Sequence, residues 1–199
     1  MIGGRGAISY LTKEEVEQFF CAIPPTKVRD RLMFDLIYRH GLRRREAALI
    51  CLENILPDGK IWIPRVKGGV SGTYSVHPVT RALLTAYLGE RRFDGCRYLL
   101  RGIRHCAAPL SGTLIYLLFR RYATTAGIAE ERRHVHVLRH SIAVHMMNAG
   151  LDVADVQDWL GHRAITSTLV YARISNKRRE RNYERLITST EVAATSPAD

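Results

Sequence analysis

Acidic residues are scarce in this 199-residue chain, and long apolar runs are missing from it. Nineteen Asp and Glu face 30 Lys and Arg, a formal net charge of +11. That excess favours a polyanionic partner, nucleic acid first and an anionic membrane surface second. Apolar stretches such as Leu114–Phe119 fall far short of the roughly 20 residues a bilayer-crossing helix needs, which speaks against a helical membrane span. The start, Met1-Ile2-Gly3-Gly4-Arg5-Gly6, carries no apolar signal segment and no glycine at position 2 for a myristoyl group. The four cysteines, Cys21, Cys51, Cys96 and Cys106, form no CxxC pair. They therefore read as reduced, buried thiols rather than as a zinc ribbon or a disulfide scaffold. What is present is ordinary for a globular protein. The 46% hydrophobic and 25% charged content, over this length, supports one sizeable core.

Periodicity and capping residues predict a mostly helical fold with one small antiparallel β-hairpin, an α+β arrangement. Thr12-x-x-Glu15 is a capping box, followed at helical spacing by Val16, Phe19, Phe20 and Ile23 until Pro24-Pro25 stops the helix. A second helix is expected over Lys27–Arg39, ending near Gly41, and a short one over Arg44–Cys51. Between Lys60 and Val79 the rhythm changes to alternation, with Ile61, Ile63, Tyr74 and Val76 apolar and a glycine-rich stretch at 67–72 between them. This reads as a hairpin with a flexible tip, kept at an edge by Pro64 and Pro78. Helical patterns resume at Thr80–Leu88, Ser111–Thr125 and Leu138–Ala149, then at Val153–Leu160, capped by Asp152 and ended by Gly161. Thr166 is read as the cap of a further short helix and Ser175 as the cap of a charged one running to Leu186. No repeat or linker divides the chain. The expected layout is an N-terminal extension over 1–10, one domain over 11–187 and a flexible tail over 188–199.

Chemistry-bearing residues fall in three clusters: His40-Gly41-Leu42-Arg43-Arg44-Arg45-Glu46, His134-Val135-His136-Val137-Leu138-Arg139-His140, and Leu160-Gly161-His162 with Tyr171 nine residues on. Taken singly, each has an ordinary reading. An arginine past a helix end usually serves a surface ion pair, a histidine on an apolar helix is usually satisfied core, and a helical tyrosine usually packs. A metal site among His134, His136, His140 and His145 is the nearest competing chemistry. However, no Glu follows His136 as in HExxH, and no carboxylate lies between His134 and His145. His105-Cys106 and Cys96 make a weaker case still.

Together and in this order, Gly41-Leu42-Arg43 with Glu46, His136-x-x-Arg139-His140, Leu160-Gly161-His162 and Tyr171 resemble the signature of the tyrosine recombinases, the phage-integrase and Xer family. Lys67 lies on the hairpin 24 residues after Arg43, where that family carries its hairpin lysine. The resemblance runs from about Leu11 to Ile187 and corresponds to the family's C-terminal catalytic domain. It implies an enzyme that cuts and rejoins DNA at specific sites without metal, ATP or other cofactor. Tyr171 would attack the phosphodiester and form a 3′-phosphotyrosyl link, releasing a 5′-hydroxyl. Charge then builds on the non-bridging oxygens, and forked guanidinium bonds stabilise it. Arg43 and Arg139 would supply that clamp, with His162 as a further donor. His136 would be proton acceptor or phosphate ligand, and Lys67 the acid that protonates the leaving oxygen. Glu46 would orient the Arg43 loop, while His140 is left open between a structural and a catalytic role. Arg44, Arg45, Arg132, Arg133, Arg173, Lys177, Arg178, Arg179 and Arg181 are candidates for backbone-phosphate contacts, or for a solvated face. The implied partners are double-stranded DNA, further copies of the chain in a tetrameric synapse, and accessory DNA-bending proteins. The implied location is the cytoplasm, at the nucleoid.

Two departures stand out. The catalytic pattern starts by Leu11, so the family's preceding helical DNA-binding domain is not in this sequence. The expectation is either a minimal recombinase like the short fimbrial invertases or part of a longer integrase. The hairpin keeps Lys67 but lacks the second lysine and the arginine of the usual pattern. His77-Pro78 resembles the invertases. The competing functions are a catalytically silent DNA-binding regulator of the same fold, a topoisomerase-like enzyme acting on single duplexes, and, on charge alone, an anionic-lipid binder.

Overall fold

The computed structural model describes residues 8–91, 95–102 and 108–172, together with Tyr183, Glu184 and Ile187. Eight helices and one hairpin are found there. They are α1 (Lys13–Cys21), α2 (Val28–Arg39), α3 (Arg44–Leu49), β1 (Lys60–Ile63), β2 (Gly72–Ser75), α4 (Pro78–Glu90), α5 (Gly112–Thr125), α6 (His136–Ala149), α7 (Val153–Leu160) and α8 (Thr166–Ala172). Most of the charged helix expected from Ser175, the tail, Cys106, Arg173, Lys177, Arg178, Arg179 and Arg181 lie outside the described residues. No described helix is long and apolar enough to cross a membrane.

Local chemistry explains most of the boundaries. The Thr12 hydroxyl accepts from the Glu15 amide at 3.2 Å while the Glu15 carboxylate accepts from the Thr12 amide at 2.9 Å, so α1 starts as the capping box requires. Ser111 and Asp152 cap α5 and α7 through their side chains. Several boundaries depart from expectation: α3 stops at Leu49 rather than Cys51, Thr166 is the first residue of α8 rather than its cap, and two helices start early. Pro78 does not edge the sheet; it opens α4, with His77 as cap, because a residue without N–H costs nothing in a helix's first turn. α6 begins at His136 rather than Leu138, which puts His136, Arg139 and His140 on one helix within its first turn and a half. The thiol expectation is also corrected: Cys51 and Cys96 are buried, but Cys21, at the last position of α1, is exposed.

α2 is the central helix. Seven of its twelve residues are buried, so it packs on several sides, against α4 and α6 in particular. Its two buried carboxylates are satisfied. Asp30 pairs with Arg29 and accepts from the Tyr122 hydroxyl at 2.7 Å, and Asp35 pairs with Arg39 and accepts from Thr80. The main core joins α1–α5, the hairpin and the start of α6, while a smaller cluster gathers Ala143, Val144, Met147, Val153, Val156, Leu160 and Tyr171. The site lies where the two meet.

β1 and β2 pair antiparallel, Ile61 opposite Tyr74 and Ile63 opposite Gly72. The connection beyond them is anchored, contrary to the flexible tip that its glycines suggested. The Arg65 amide donates to the Ser71 hydroxyl at 2.9 Å, the Val66 amide to Glu46 at 3.2 Å and the Val70 amide to the Gly161 carbonyl at 3.1 Å. Lys67 and Gly68 at its apex both have positive φ, +56° and +71°, and the Gly69 amide returns to the Val66 carbonyl. That is the backbone of a tight turn whose twist suits a hairpin. Among the described residues Lys67 is the one non-glycine held at positive φ. Such outliers persist only where surrounding contacts over-determine them.

Candidate active site

Glu46 is the centre of the site. It is fully buried on α3 and meets guanidiniums from three separate segments: Arg43 Nη1 at 2.7 Å, Arg65 Nη1 at 3.1 Å and Arg139 Nη1 at 3.8 Å. Its oxygens also accept from the backbone amides of Arg43 and Val66. Burial works to raise its pKa, but the hydrogen bonds from Arg43 and the charges of Arg65 and Arg139 outweigh it, so the carboxyl sits below its usual range and stays ionised. One anion against three cations leaves a local excess of positive charge. A second anion placed there would find guanidiniums already desolvated and oriented, the condition under which electrostatic stabilisation is largest. Removing one partner of such a buried set typically costs about 3–5 kcal/mol.

Arg139, 1% exposed, is fixed by donating to the Gly41 and Leu160 carbonyls. Its pKa is pushed down to about 10, first by burial and then by Arg43 and Arg65, yet it remains charged at neutral pH. Arg43 is part exposed and faces an open cleft of about 650 Å³ that Arg44, Arg45, Lys67, Tyr116, His134 and His136 also line.

Tyr171, on α8, is 2% exposed. Its hydroxyl lies 2.9 Å from His140 Nδ1, and the His162 ring stacks nearly parallel to its own at 6.5 Å. Burial raises the tyrosine pKa against the pull of Arg139 and Arg43, so the phenol is protonated at rest. Burial, then Arg139 and Arg43, pushes His162 down to about 4; burial and then His136 push His140 down to about 3. Both rings are therefore neutral near pH 7. His136 is lowered as well by desolvation and by the same two arginines, and its ring meets that of His140 at 4.4 Å. His162 Nδ1 is held 2.9 Å from the buried Thr168 hydroxyl.

The fold thus gathers Glu46, His136, Arg139, His140 and Tyr171 from three helices, α3, α6 and α8, and Arg43 and His162 from the turns before α3 and after α7, with Lys67 on the cleft wall. It does not bring Arg132 or Arg133 to that cleft. Arg132 pairs with Glu15 at 2.7 Å, and Arg133 donates to the Ile128 carbonyl. His145 of the competing metal reading instead contacts the Tyr38 hydroxyl, and among the described residues no group of three His, Cys, Asp or Glu could hold a metal ion. Sequence reasoning missed Arg65, although a signal existed: it continues the inward phase of Ile61 and Ile63 along β1. It read Gly161 as a helix end and as part of the Leu160-Gly161-His162 motif, with no packing reason for the glycine. Gly161 is left-handed at φ +63°, and a Cβ there would lie 2.6 Å from the Val70 carbonyl oxygen and 2.7 Å from Arg65 Nε, so the glycine also makes room for the hairpin.

Desolvated guanidiniums beside a buried tyrosine hydroxyl are groups with the chemistry to hold an anion near a nucleophile. Comparison with known proteins agrees. The model of the phage integrase family matches residues 9–178. The tyrosine recombinase XerA of Thermococcus onnurineus (strain NA1) is 37% identical over 169 residues, covering 83% of this chain and 58% of that protein. The crystal structure of XerA recombinase matches the fold with a TM-score of 0.77 at 20% identity, over 93% of this chain and 65% of the other. XerH bound to a palindromic difH substrate in a post-cleavage complex matches at 0.75 and 24% identity, over 89% of this chain and 53% of the other. The chain belongs to the phage integrase family. It spans about three fifths of the length of the curated relatives it matches, 58% and 60% for the first two.

Proposed function

We propose that the chain is the catalytic part of a site-specific DNA recombinase that breaks and rejoins strands through a 3′-phosphotyrosyl link. The observation that carries this is the setting of the Tyr171 hydroxyl, which lies 2.9 Å from His140 Nδ1 on a ring stacked against that of His162 and feels the charges of Arg139 and Arg43. In this reading Arg43 and Arg139 clamp the scissile phosphate and His162 donates to it. His140 holds the hydroxyl, and neutral His136 beside it accepts the proton or binds phosphate. As the Tyr171 oxygen bonds to phosphorus, the P–O5′ bond breaks and Lys67 passes a proton to O5′. The link conserves the energy of the broken bond, so rejoining needs no nucleotide.

Double-stranded DNA is the substrate, reached through the cleft that Arg44 and Arg45 line. Strand exchange between two sites calls for several copies assembled on DNA, with DNA-bending proteins as accessories. XerH bound to its substrate shares this fold, and that likeness supports the DNA assignment. The test is covalent trapping. Wild type and Tyr171→Phe are incubated, without metal or ATP, with labelled fragments from the locus flanking the gene. An SDS-resistant adduct with wild type alone is the expected result and maps the site. Salt-sensitive binding with no adduct on any fragment would point instead to a DNA-binding protein that does not cut.

A further inference from the structure

Arg65 takes no part in the proposed chemistry as described, yet its side chain is fully buried beside the hairpin tip. Its guanidinium reaches four acceptors on three segments: Glu46 at 3.1 Å, the His40 and Gly41 carbonyls at 3.2 Å each, and the Trp159 carbonyl at 2.7 Å. It also lies over the Tyr74 ring of β2, 5.3 Å from its centre. Two residues later, Lys67 sits at the left-handed apex of the turn. A hairpin with only two strands has little stability of its own, so an apex conformation unfavourable for lysine must be held from outside. Arg65 supplies that hold at the stem, the Val66 amide repeats it on Glu46, and the Val70 amide secures the far side on Gly161.

We infer that Arg65 is the positioning residue for Lys67. It ties the hairpin to the same carboxylate that orients Arg43, so the acid and the phosphate clamp are set in one frame. This rests on the reading of Lys67 as the acid for the leaving oxygen. The two claims separate on a substrate whose bridging O5′ is replaced by sulfur. A thiol has a pKa near 8.5, so a thiolate departs without a proton where an alkoxide needs one. On that substrate the acid, and whatever positions it, becomes dispensable.

The experiment measures single-turnover adduct formation on the site mapped by Tyr171 trapping, as the ordinary duplex and as the 5′-sulfur duplex. The proteins are wild type, Lys67→Ala, Arg65→Gln and Arg65→Lys. Lys67→Ala is expected to slow by about 10²-fold or more on the ordinary duplex and to return near wild type on the sulfur duplex. Both Arg65 variants are expected to slow by about 10- to 100-fold on oxygen, as misplacement of a catalytic group does, with the same recovery on sulfur. Failure of sulfur to rescue Lys67→Ala would overturn the acid assignment. Rescue of Lys67→Ala but equal loss on both substrates for the Arg65 variants would overturn the positioning role alone. Loss of a cooperative melt in both Arg65 variants would assign the residue to the fold and also overturn it.

Discussion

His40 shows how a single residue ties the site to pH. It is 0% exposed, stacks on Trp159 with ring centres 6.0 Å apart, and neither ring nitrogen has a partner among the described residues. Burial, then the charges of Arg65, His77 and Arg39, lowers its pKa to about 4. A base whose folded pKa lies below its unfolded value of about 6.5 favours the folded state while neutral. Its contribution is complete above pH 6.5 and is lost as pH falls from 6.5 toward 4. By pH 5 the loss from this one ring is about 2 kcal/mol, or about 4–8 °C in melting temperature. The expected result is a melting temperature that drops between pH 7 and pH 5 and a visibly shallower drop for His40→Phe, which keeps the stacking without the titration. Superimposable acid limbs for the two proteins would show that His40 does not titrate in this window.

Among the elements, the turn from α7 into His162 meets the hairpin most closely. Alanine at Gly161 must adopt a left-handed backbone, about 1–2 kcal/mol, and must also displace Val70 or Arg65. Gly127→Ala meets the same backbone demand, φ +71°, with open space around it. Urea denaturation is therefore expected to place Gly161→Ala below Gly127→Ala by more than ~1 kcal/mol, and only the former is expected to slow adduct formation. Equal losses would mean that the hairpin does not press on this turn. Elements of this kind also mark what was legible in the sequence. The Thr12 and Asp152 caps were readable because a cap is settled within three residues. Arg43, Arg139, His162 and Tyr171 were readable as a pattern in order. Arg65 was not, because its acceptors on His40, Gly41, Glu46 and Trp159 exist only once the chain has folded. The anchoring of the hairpin tip stayed hidden for the same reason: glycine content reports what a backbone can do, not what holds it.

At the scale of the molecule, the +11 charge is unevenly used. Arg29, Arg39 and Arg132 are paired with carboxylates, whereas the exposed Arg44 and Arg45 line the open cleft. Each arginine that meets a DNA phosphate adds about 0.9 to the slope of log affinity against log salt. Arg44→Gln and Arg45→Gln are each expected to lower that slope by about one, and Arg132→Gln to leave it unchanged while loosening α1. A slope indifferent to Arg44 and Arg45, measured by titration from 50 to 200 mM salt, would move the DNA track elsewhere. The joint at Glu46 has a further consequence for the chain as it is made. Its cations come from positions 43, 65 and 139, and the nucleophile stands at 171. On the proposed function, a nascent chain that has reached Thr125 holds Arg43 and Lys67 but neither Arg139 nor Tyr171. If the proposed function holds, cutting therefore requires the chain through α8.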